Sequence, residues 1–325
     1  MENNKKKTEA QQTAPQVKKP KKKNKALRDF KKSIPFLFLA SGGFITLIIF
    51  RLVPLFGLVL PFKEFRVADG ILGSKWVGLD NFKYLFATEG AWIATRNTIF
   101  YNFVGIITGI IIGVTVALLL YELSNKFVKI YQTILYLPHF VSYVVVAFMM
   151  KGLLDLEYGI FNNLREYFGF APINWYYEPK YWYWIIPLLS IWKGLGHGAL
   201  MYYAALIGIS PELYESARID GAGKLQQVWY ISIPMIKNVV IILFILNIGK
   251  IMHADLSLYY NVPLNMPELI EATDVLDTYV LRSMKVLGEI GMSSAASLYQ
   301  AVVGFFLVII SNTVAKKVDP ESGMF

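Results

Sequence analysis

Several polar side chains interrupt otherwise apolar stretches in the second half of the sequence. Lys193 and His197 lie four residues apart, so a helix would place them on one face. Asn247 and Lys250 form a similar stripe in another apolar stretch. A lysine at the centre of a membrane helix costs about 2.5–3.5 kcal/mol on insertion scales, so such side chains usually face protein or water. We expect these four to line a polar path across a membrane, or its gate. The alternative is snorkelling, or a structural pair such as Lys193 with Asp255.

Residues for other kinds of chemistry are missing from the pattern. The three histidines, His139, His197 and His253, fall in different apolar segments without metal-ligand spacing, and the chain has no cysteine. The string from Gly221 to Lys224 resembles the end of a phosphate-binding loop. It lacks the following Ser or Thr and the first glycine of that motif. We therefore expect no enzyme activity, no cofactor bound by this chain and no ATP hydrolysis, so energy must come from a partner or an ion gradient.

A short polar segment between two apolar stretches predicts a helical elbow. Ser210 suits an N-cap and Pro211 the first helical position, while Asp220-Gly221 favours a turn. A second short helix should run from Lys224 to Tyr230, with Pro234 opening the next apolar segment. The bend is rich in small residues, which let another backbone or a groove come close.

The apolar residues are concentrated in six long segments, which predicts a membrane protein. A helix needs about 20 apolar residues to cross the hydrocarbon core, and the fifth segment meets this only if protein or water shelters its charges. We predict an all-α integral membrane protein with six transmembrane helices and the elbow between spans four and five. The predicted spans are Ser33–Phe62, Asn97–Tyr121, Ile130–Met150, Tyr181–Ile209, Ile236–Tyr260 and Gly291–Ala315.

The net charge of +9 resides in the N-terminal segment. Residues 1–32 contain the clusters Lys5–Lys7 and Lys18–Lys23 and few apolar side chains, so we predict a disordered basic cytoplasmic tail. The rest of the chain is neutral overall, which argues against a nucleic-acid-binding surface. A specific role of the tail in binding lipid or RNA is the alternative. We expect a permease domain over 33–318, with the elbow loop at 210–235, and a cytoplasmic end at 319–325.

Lysine and arginine are more frequent in the tail, the elbow and the C-terminal end than in the other loops, which places these parts and both termini in the cytoplasm. The outer loops, about 63–96, 151–180 and 261–290, are longer than simple connections require. The second contains an aromatic cluster from Trp175 to Trp184. An interfacial aromatic belt accounts for such a cluster, and a surface for stacking sugars or docking a partner is the alternative.

The elbow also carries a recognisable motif. Glu215-Ser-Ala-Arg-Ile-Asp-Gly-Ala222, followed by Ile231-Ser-Ile-Pro234, resembles the EAA loop of binding-protein-dependent ABC importer permeases, with mild departures at Ser216 and Ile233. In that family the loop forms a coupling helix that sits in a cleft on a separate ATPase subunit. The resemblance implies an ATPase-coupling role for Tyr214, Glu215, Ser216, Ala217, Asp220, Gly221, Ala222 and Pro234.

The resemblance covers about residues 33–325 and extends to further motifs. Gly78–Phe82 is similar to an outer-loop element of sugar permeases. Asp274–Arg282, Gly291–Ala296 and the end from Asp319 resemble the branch that imports oligosaccharides and polysaccharide fragments.

The family likeness implies a set of partners and a mechanism. The expected partners are a second, homologous permease in a heterodimer, two ATPase subunits that hold ATP and magnesium, an extracellular or periplasmic solute-binding protein, an oligosaccharide and the lipid of a bacterial cell membrane. The expected mechanism is alternating access driven by ATP. An importer for a non-sugar solute, a secondary transporter and an integral membrane enzyme are the competing interpretations.

Overall fold

The computed structural model describes residues 22–318, and the chain divides into two compact units, Met1–Leu58 and Val59–Phe325. The first unit contains helix α1, Lys22–Leu47, which continues as a π-helical turn, Ile48–Leu52. From Val53 to Phe62 the backbone is 3₁₀-helical. Residues 22–32 of the predicted disordered tail are thus helical, and residues 1–21 and 319–325 lie outside the described part.

The second unit begins with a small subdomain. Its two-residue strands β1, Lys63–Glu64, and β2, Lys75–Trp76, pair antiparallel around helix α2, Gly70–Gly73, and helix α3, Asp80–Ala87, follows. The buried Lys63 ammonium donates to the carbonyl oxygens of Ile71 and Leu72, at 2.7 and 3.0 Å. Asn81 of the Gly78–Phe82 motif donates to the carbonyl oxygens of Pro61 and Lys63, which fixes the entry to this subdomain.

Two long helices, α4 and α8, pack against each other at the centre of the second unit. Helix α4 covers Glu89–Tyr121 and starts eight residues before the predicted second span. Helix α8 covers Pro179–Ile207 and lies within two residues of the predicted fourth span at each end. With 29 residues, α8 is about 44 Å long, enough to cross a bilayer.

The third predicted span is not one continuous helix. Helix α5, Asn125–Phe140, and helix α6, Tyr143–Leu154, meet at an angle of 91°. Pro138 lies in the last turn of α5, and Ser142 caps α6 by accepting a hydrogen bond from the Val145 N–H at 3.3 Å. Helix α7, Ile160–Tyr167, and a 3₁₀ turn, Trp175–Tyr177, complete the second outer loop.

The fifth predicted span is also broken. Helices α9, Pro211–Ile219, and α10, Lys224–Gln227, form the elbow, and α10 continues through a π-helical turn, Val228–Ser232, into α11, Ile233–Ile248. Residues 249–255 are irregular before the short helix α12, Leu256–Asn261. Ala254 donates its N–H to the Asp277 carboxylate at 2.7 Å, so a side chain from another element stabilises this break.

The remaining elements are short helices that lead into the last long helix. A 3₁₀ turn, Pro267–Leu269, precedes α13, Ile270–Thr273, and α14, Leu276–Lys285. The last helix, α15, covers Ile290–Val318 and contains the predicted sixth span.

Four helical segments in the described part are long and apolar enough to span a membrane, and the bent pair α5–α6 would make a fifth. The described chain is therefore a largely helical, multi-pass membrane protein, as expected.

Candidate functional site

A cavity of about 400 Å³ lies between α4, α8 and the α11–α12 segment. Glycines form much of its wall. A Cβ atom added at Gly105, Gly109, Gly194 or Gly198 would meet no atom within 4 Å, so these glycines leave open space. Its polar lining includes Asn102, Ser190, His197, Asn247 and Asp255, a set of hydrogen-bonding groups suited to hydroxyl-rich or hydrated solutes.

A second cavity of about 510 Å³ lies at the corner between α5 and α6. It shares Ser190, Gly194 and Asp255 with the first, so the two are contiguous. The Asp255 carboxylate accepts hydrogen bonds from the N–H groups of Ser257 and Leu258, at 2.9 and 3.4 Å, and so caps α12. The two cavities form one continuous space, and Asp255 is the only carboxylate among the described residues that line it.

Lys193 lies beside the second cavity, where its ammonium serves the backbone. It donates to the carbonyl oxygens of Val141, His139 and Pro138, at 2.6, 2.7 and 3.4 Å. These carbonyls lie at the C-terminal end of α5, where a helix leaves four acceptors unsatisfied and a positive charge is favourable. The ammonium also lies 4.8 Å from the centre of the Tyr143 ring. Lys193 therefore stabilises the α5–α6 corner, and this role differs from the structural pair with Asp255 considered above.

The other predicted path residues are placed differently from one another. His197 and Asn247 both line the first cavity, from α8 and α11. Lys250 is exposed in the turn after α11 and lines neither cavity. The His197 ring stacks on His139 with centroids 5.6 Å apart and an interplanar angle of 14°, a pairing across the α5–α8 interface that sequence spacing does not reveal.

Gly196 brings α8 into close contact with α5. A Cβ atom at Gly196 would collide with the carbonyl group of Leu135 in α5, and Gly196 is buried. Gly194 and Gly198 both line the first cavity, and a Cβ atom added at Gly113 of α4 would lie 3.5 Å from the carbonyl carbon of Gly198.

The elbow has the predicted backbone. Helix α9 begins at Pro211 and ends at Ile219, and Gly221 has φ +82°, the left-handed region that favours glycine. Ser210 occupies the N-cap position, although its side chain makes no capping hydrogen bond. The Gln226 side chain accepts from the Gly223 N–H at 2.7 Å, which closes the turn before α10.

Tyr214 anchors α9 to the body of the protein. Its side chain is buried, and its hydroxyl lies 2.9 Å from the Ser232 hydroxyl. Its ring lies 5.7 Å from that of Tyr121 at the end of α4. Tyr214 packs in one apolar cluster with residues of α4, α8 and α11, including Leu206 and Ile236. A displacement of α9 therefore acts directly on three long helices.

The outward side of the elbow is open. Glu215, Ser216, Asp220 and Gly221 are exposed, Ala217 and Ala222 are half-buried, and Pro234 is exposed at the start of α11. Large apolar side chains beside them are also exposed, among them Ile219 at 87% and Leu225 at 75%. An exposed surface that combines small, acidic and apolar residues is suited to fit into a groove of another protein.

The α13–α14 segment contains a polar network that the sequence analysis did not assign. Asp274 is buried and receives both Arg282 nitrogens, at 3.0 and 2.5 Å, and the Thr278 hydroxyl at 2.7 Å. Asn97 of α4 donates to the Asp274 carbonyl oxygen at 2.9 Å. The spacing of Asp274, Thr278 and Arg282, each four residues apart, was the available signal. This network attaches the α13–α14 segment to the N-terminal part of α4.

The aromatic cluster of the second outer loop divides into two groups. Tyr176 and Trp182 are buried, and burial raises the pKa of Tyr176 to about 12. Tyr177 and Trp184 are exposed, at 54% and 73%. The buried pair packs in the core, and the exposed pair provides an amphipathic surface of the type found at membrane interfaces.

Comparison with known proteins gives a consistent result. Residues 105–320 match the family described as binding-protein-dependent transport system inner membrane component. The chain is 33% identical over 305 residues to the polygalacturonan/rhamnogalacturonan transport system permease protein YteP of Bacillus subtilis, with 94% of both chains covered. It is 31% identical to protein LplB of Bacillus subtilis, with 87% of this chain and 88% of LplB covered.

The fold also matches solved structures. A chain from a bacterial ABC transporter involved in the import of the acidic polysaccharide alginate has a TM-score of 0.83 and 28% identity, and 91% of this chain and 99% of that chain are covered. A bacterial alginate ABC transporter in complex with an alginate pentasaccharide-bound periplasmic protein gives a TM-score of 0.81 at 28% identity, with 90% and 97% covered. The chain analysed above belongs to the family of binding-protein-dependent transport system inner membrane components, and it is a multi-pass permease subunit of an ABC transporter.

Proposed function

We propose that this chain is the permease subunit of an ATP-driven importer for oligosaccharides or polysaccharide fragments. The observation that carries the proposal is the continuity between the elbow and the cavity wall. Residues Lys224–Ile248 form one helical segment of 25 residues, which begins in the elbow and carries Leu243 and Asn247 in the cavity lining. A movement of the elbow would therefore be transmitted to the cavity wall through one continuous helical segment.

The remaining assembly follows from the family. The proposed partners are a second permease that completes the cavity, two ATPase subunits that bind ATP and engage the exposed residues of α9 and the following turn, and an extracellular or periplasmic binding protein that delivers the solute. The proposed topology has six spans, with α8 and the broken α5–α6 and α11–α12 segments included, and both termini in the cytoplasm of a bacterial cell. The cycle is alternating access.

The cargo class is supported by the relatives and by the cavity. The name of YteP specifies polygalacturonan and rhamnogalacturonan, and the solved neighbour imports alginate. The cavity offers amide, hydroxyl and imidazole groups, which hydrogen-bond to sugar hydroxyls. His197 and Asn247 are the path residues that we propose contact the solute.

Two of the ionisable groups that line the cavities, Lys193 and Asp255, do not favour a proton-driven carrier. The Lys193 ammonium has three carbonyl acceptors for its three N–H groups, and Asp255 caps α12. A proton relay requires groups that exchange protons during the cycle, and these two have structural roles.

Uptake by the assembled importer in proteoliposomes tests the proposal. The probes are labelled oligogalacturonides and a neutral oligosaccharide of equal length, with the binding protein outside and ATP inside. We expect uptake of at least one saccharide that requires both ATP hydrolysis and the binding protein. Uptake that an ionophore abolishes while ATP remains, or uptake of amino acids or peptides but of no saccharide, would contradict the proposal.

A further inference from the structure

Two charged residues in the elbow region occupy helix ends that disfavour their charge. Glu122 is the C-cap residue of α4, where the helix dipole is negative. Lys224 is the first residue of the 25-residue helical segment that continues into α11, where the dipole is positive. The two side chains form an ion pair with Nζ and Oε2 2.5 Å apart. Each charge thus compensates for the unfavourable placement of the other, and neither helix gains from its own residue.

Fold stability does not account for this pair. The two side chains are 67% and 43% exposed, and exposed ion pairs contribute about 0–1 kcal/mol. A lysine at the end of α4 and an acid at the start of α10 would suit the two dipoles better. The effect of the present arrangement is a directed contact between the elbow and α4.

The contact adds to a second attachment at the same end of α4. Tyr121 precedes Glu122, and its ring lies against that of Tyr214 in α9. The Tyr214 hydroxyl is in turn hydrogen-bonded to that of Ser232, in the π-helical turn that follows α10. Both helices of the elbow are therefore connected to the last turn of α4, by a ring contact from α9 and by an ion pair from α10.

Helix α4 connects this end with the cavity. It is continuous for 33 residues, and Gly105, Gly109 and Gly113 from its middle line the cavity opposite α8. If the elbow moves with α4, two walls of the cavity move together, because α11 is already continuous with α10. If the elbow moves without α4, only the α11 wall follows.

We propose that Glu122 and Lys224 are positioning residues for transport, whose ion pair makes α4 follow the elbow during the cycle. The inference rests on the proposed function, in which an ATPase subunit moves the elbow. The contact persists through the cycle, since it transmits movement in both directions.

Charge exchange tests the pair. The variants are Glu122→Lys, Lys224→Glu and the exchange of both, in the assembled importer in proteoliposomes. The control is Lys83→Glu, which breaks another exposed ion pair, with Asp80, far from the elbow in sequence. Saccharide uptake and ATP hydrolysis are measured on the same preparations, at equal amounts of assembled complex.

Each single variant should lose at least about fivefold in saccharides imported per ATP hydrolysed, the lower end of typical coupling energies. The double exchange should recover most of this ratio, and the control should equal the wild type. The inference would be overturned if the single variants had the wild-type ratio, or if the double exchange were as defective as the single variants. Single variants that no longer bind the ATPase subunits would also overturn it, because the ion pair would then serve assembly. Failure of the wild type itself to import with ATP would refute the proposed function instead.

Cross-linking provides an independent test, since the chain has no cysteine. The double variant Glu122→Cys with Lys224→Cys, joined by a short bis-maleimide, fixes the contact covalently. We expect the joined protein to import at the rate of the wild type, and the unjoined double variant to be uncoupled. Loss of uptake on joining would show that the contact must open during the cycle, and would overturn the proposal.

Discussion

Replacing Lys193 with methionine should loosen the corner between α5 and α6. The two short hydrogen bonds to Val141 and His139 would be lost, and bonds from a charged donor contribute about 1.5–3 kcal/mol each. Replacing the ammonium with an apolar group also removes the cost of placing a charge in the membrane, about 2.5–3.5 kcal/mol. The difference between about 3–6 kcal/mol lost and about 2.5–3.5 kcal/mol regained is a net cost of about 0.5–2.5 kcal/mol at the corner, because the freed carbonyl oxygens keep no equivalent partner.

Hydrogen–deuterium exchange measured by mass spectrometry gives the readout. The amides of Val145 and Val146 bond to the Ser142 side chain and carbonyl, so they report on the start of α6. A cost of about 1.4 kcal/mol raises the open population tenfold, and we expect exchange there to accelerate by about that factor. Lys193→Arg should show an intermediate effect, since the guanidinium keeps the charge but presents its donors in a planar fork.

The result that would refute this reasoning is exchange in the Lys193→Met variant equal to the wild type. The ammonium would then contribute nothing to the corner, and its position would need another explanation. Equal acceleration throughout α4 and α8 would also contradict it, because the predicted effect is local.

Three further changes have definite expected outcomes. Gly221→Trp should leave the protein inserted and abolish uptake, because φ is +82° and bulk there blocks docking, whereas Gly221→Asn should retain uptake since asparagine tolerates this backbone region. Gly196→Leu should lower the melting temperature of the purified protein through its collision with α5, while Gly194→Ala should leave it unchanged because a Cβ there meets open space. Asp274→Asn should destabilise the α13–α14 segment by about 2–3 kcal/mol in denaturant unfolding. Breaking a buried ion pair costs about 3–5 kcal/mol, and the cost should be lower here because Arg282 is partly exposed to water. Unchanged uptake with Gly221→Trp, an unchanged melting temperature with Gly196→Leu, or unchanged stability with Asp274→Asn would contradict the corresponding argument.

The elbow could be predicted from local sequence because local chemistry determines it. Pro211 starts α9, Asp220 and Gly221 end it, and Pro234 lies at the start of α11, each within one residue of its expected role. These positions depend on backbone preferences that neighbouring helices do not override. The continuous spans α4 and α15 were found for a related reason, since long uncharged runs have few alternatives in a membrane.

The two helix breaks could not be predicted because distant residues decide them. Pro138 was visible in the sequence, but a proline in a membrane helix can also be accommodated by a kink. The corner forms because Lys193, 55 residues away, satisfies the exposed carbonyls. The break after α11 likewise depends on Asp277, 23 residues beyond Ala254. Spacing alone could not give these partners.

Helical spacing also failed to distinguish the faces of α8. Lys193 and His197 were grouped because they lie four residues apart, yet one supports the corner and the other lines the first cavity. Gly196, which lies between them and which helical spacing did not single out, makes the close contact with α5. Helical spacing predicts which residues share a face, but only the positions of α4 and α5 show which of these residues contact protein and which line a cavity.

The central claim is that a separate ATPase drives this chain through its elbow. Site-specific cross-linking from Ile219→Cys and Leu225→Cys, in membranes that contain the whole importer, tests it most directly. The cysteine-free chain makes each label unique. We expect both positions to cross-link to a nucleotide-binding subunit, and we expect the cross-linking yield to change when ATP is added. Cross-links to no other subunit, or labelling of these positions from outside the cell, would contradict it.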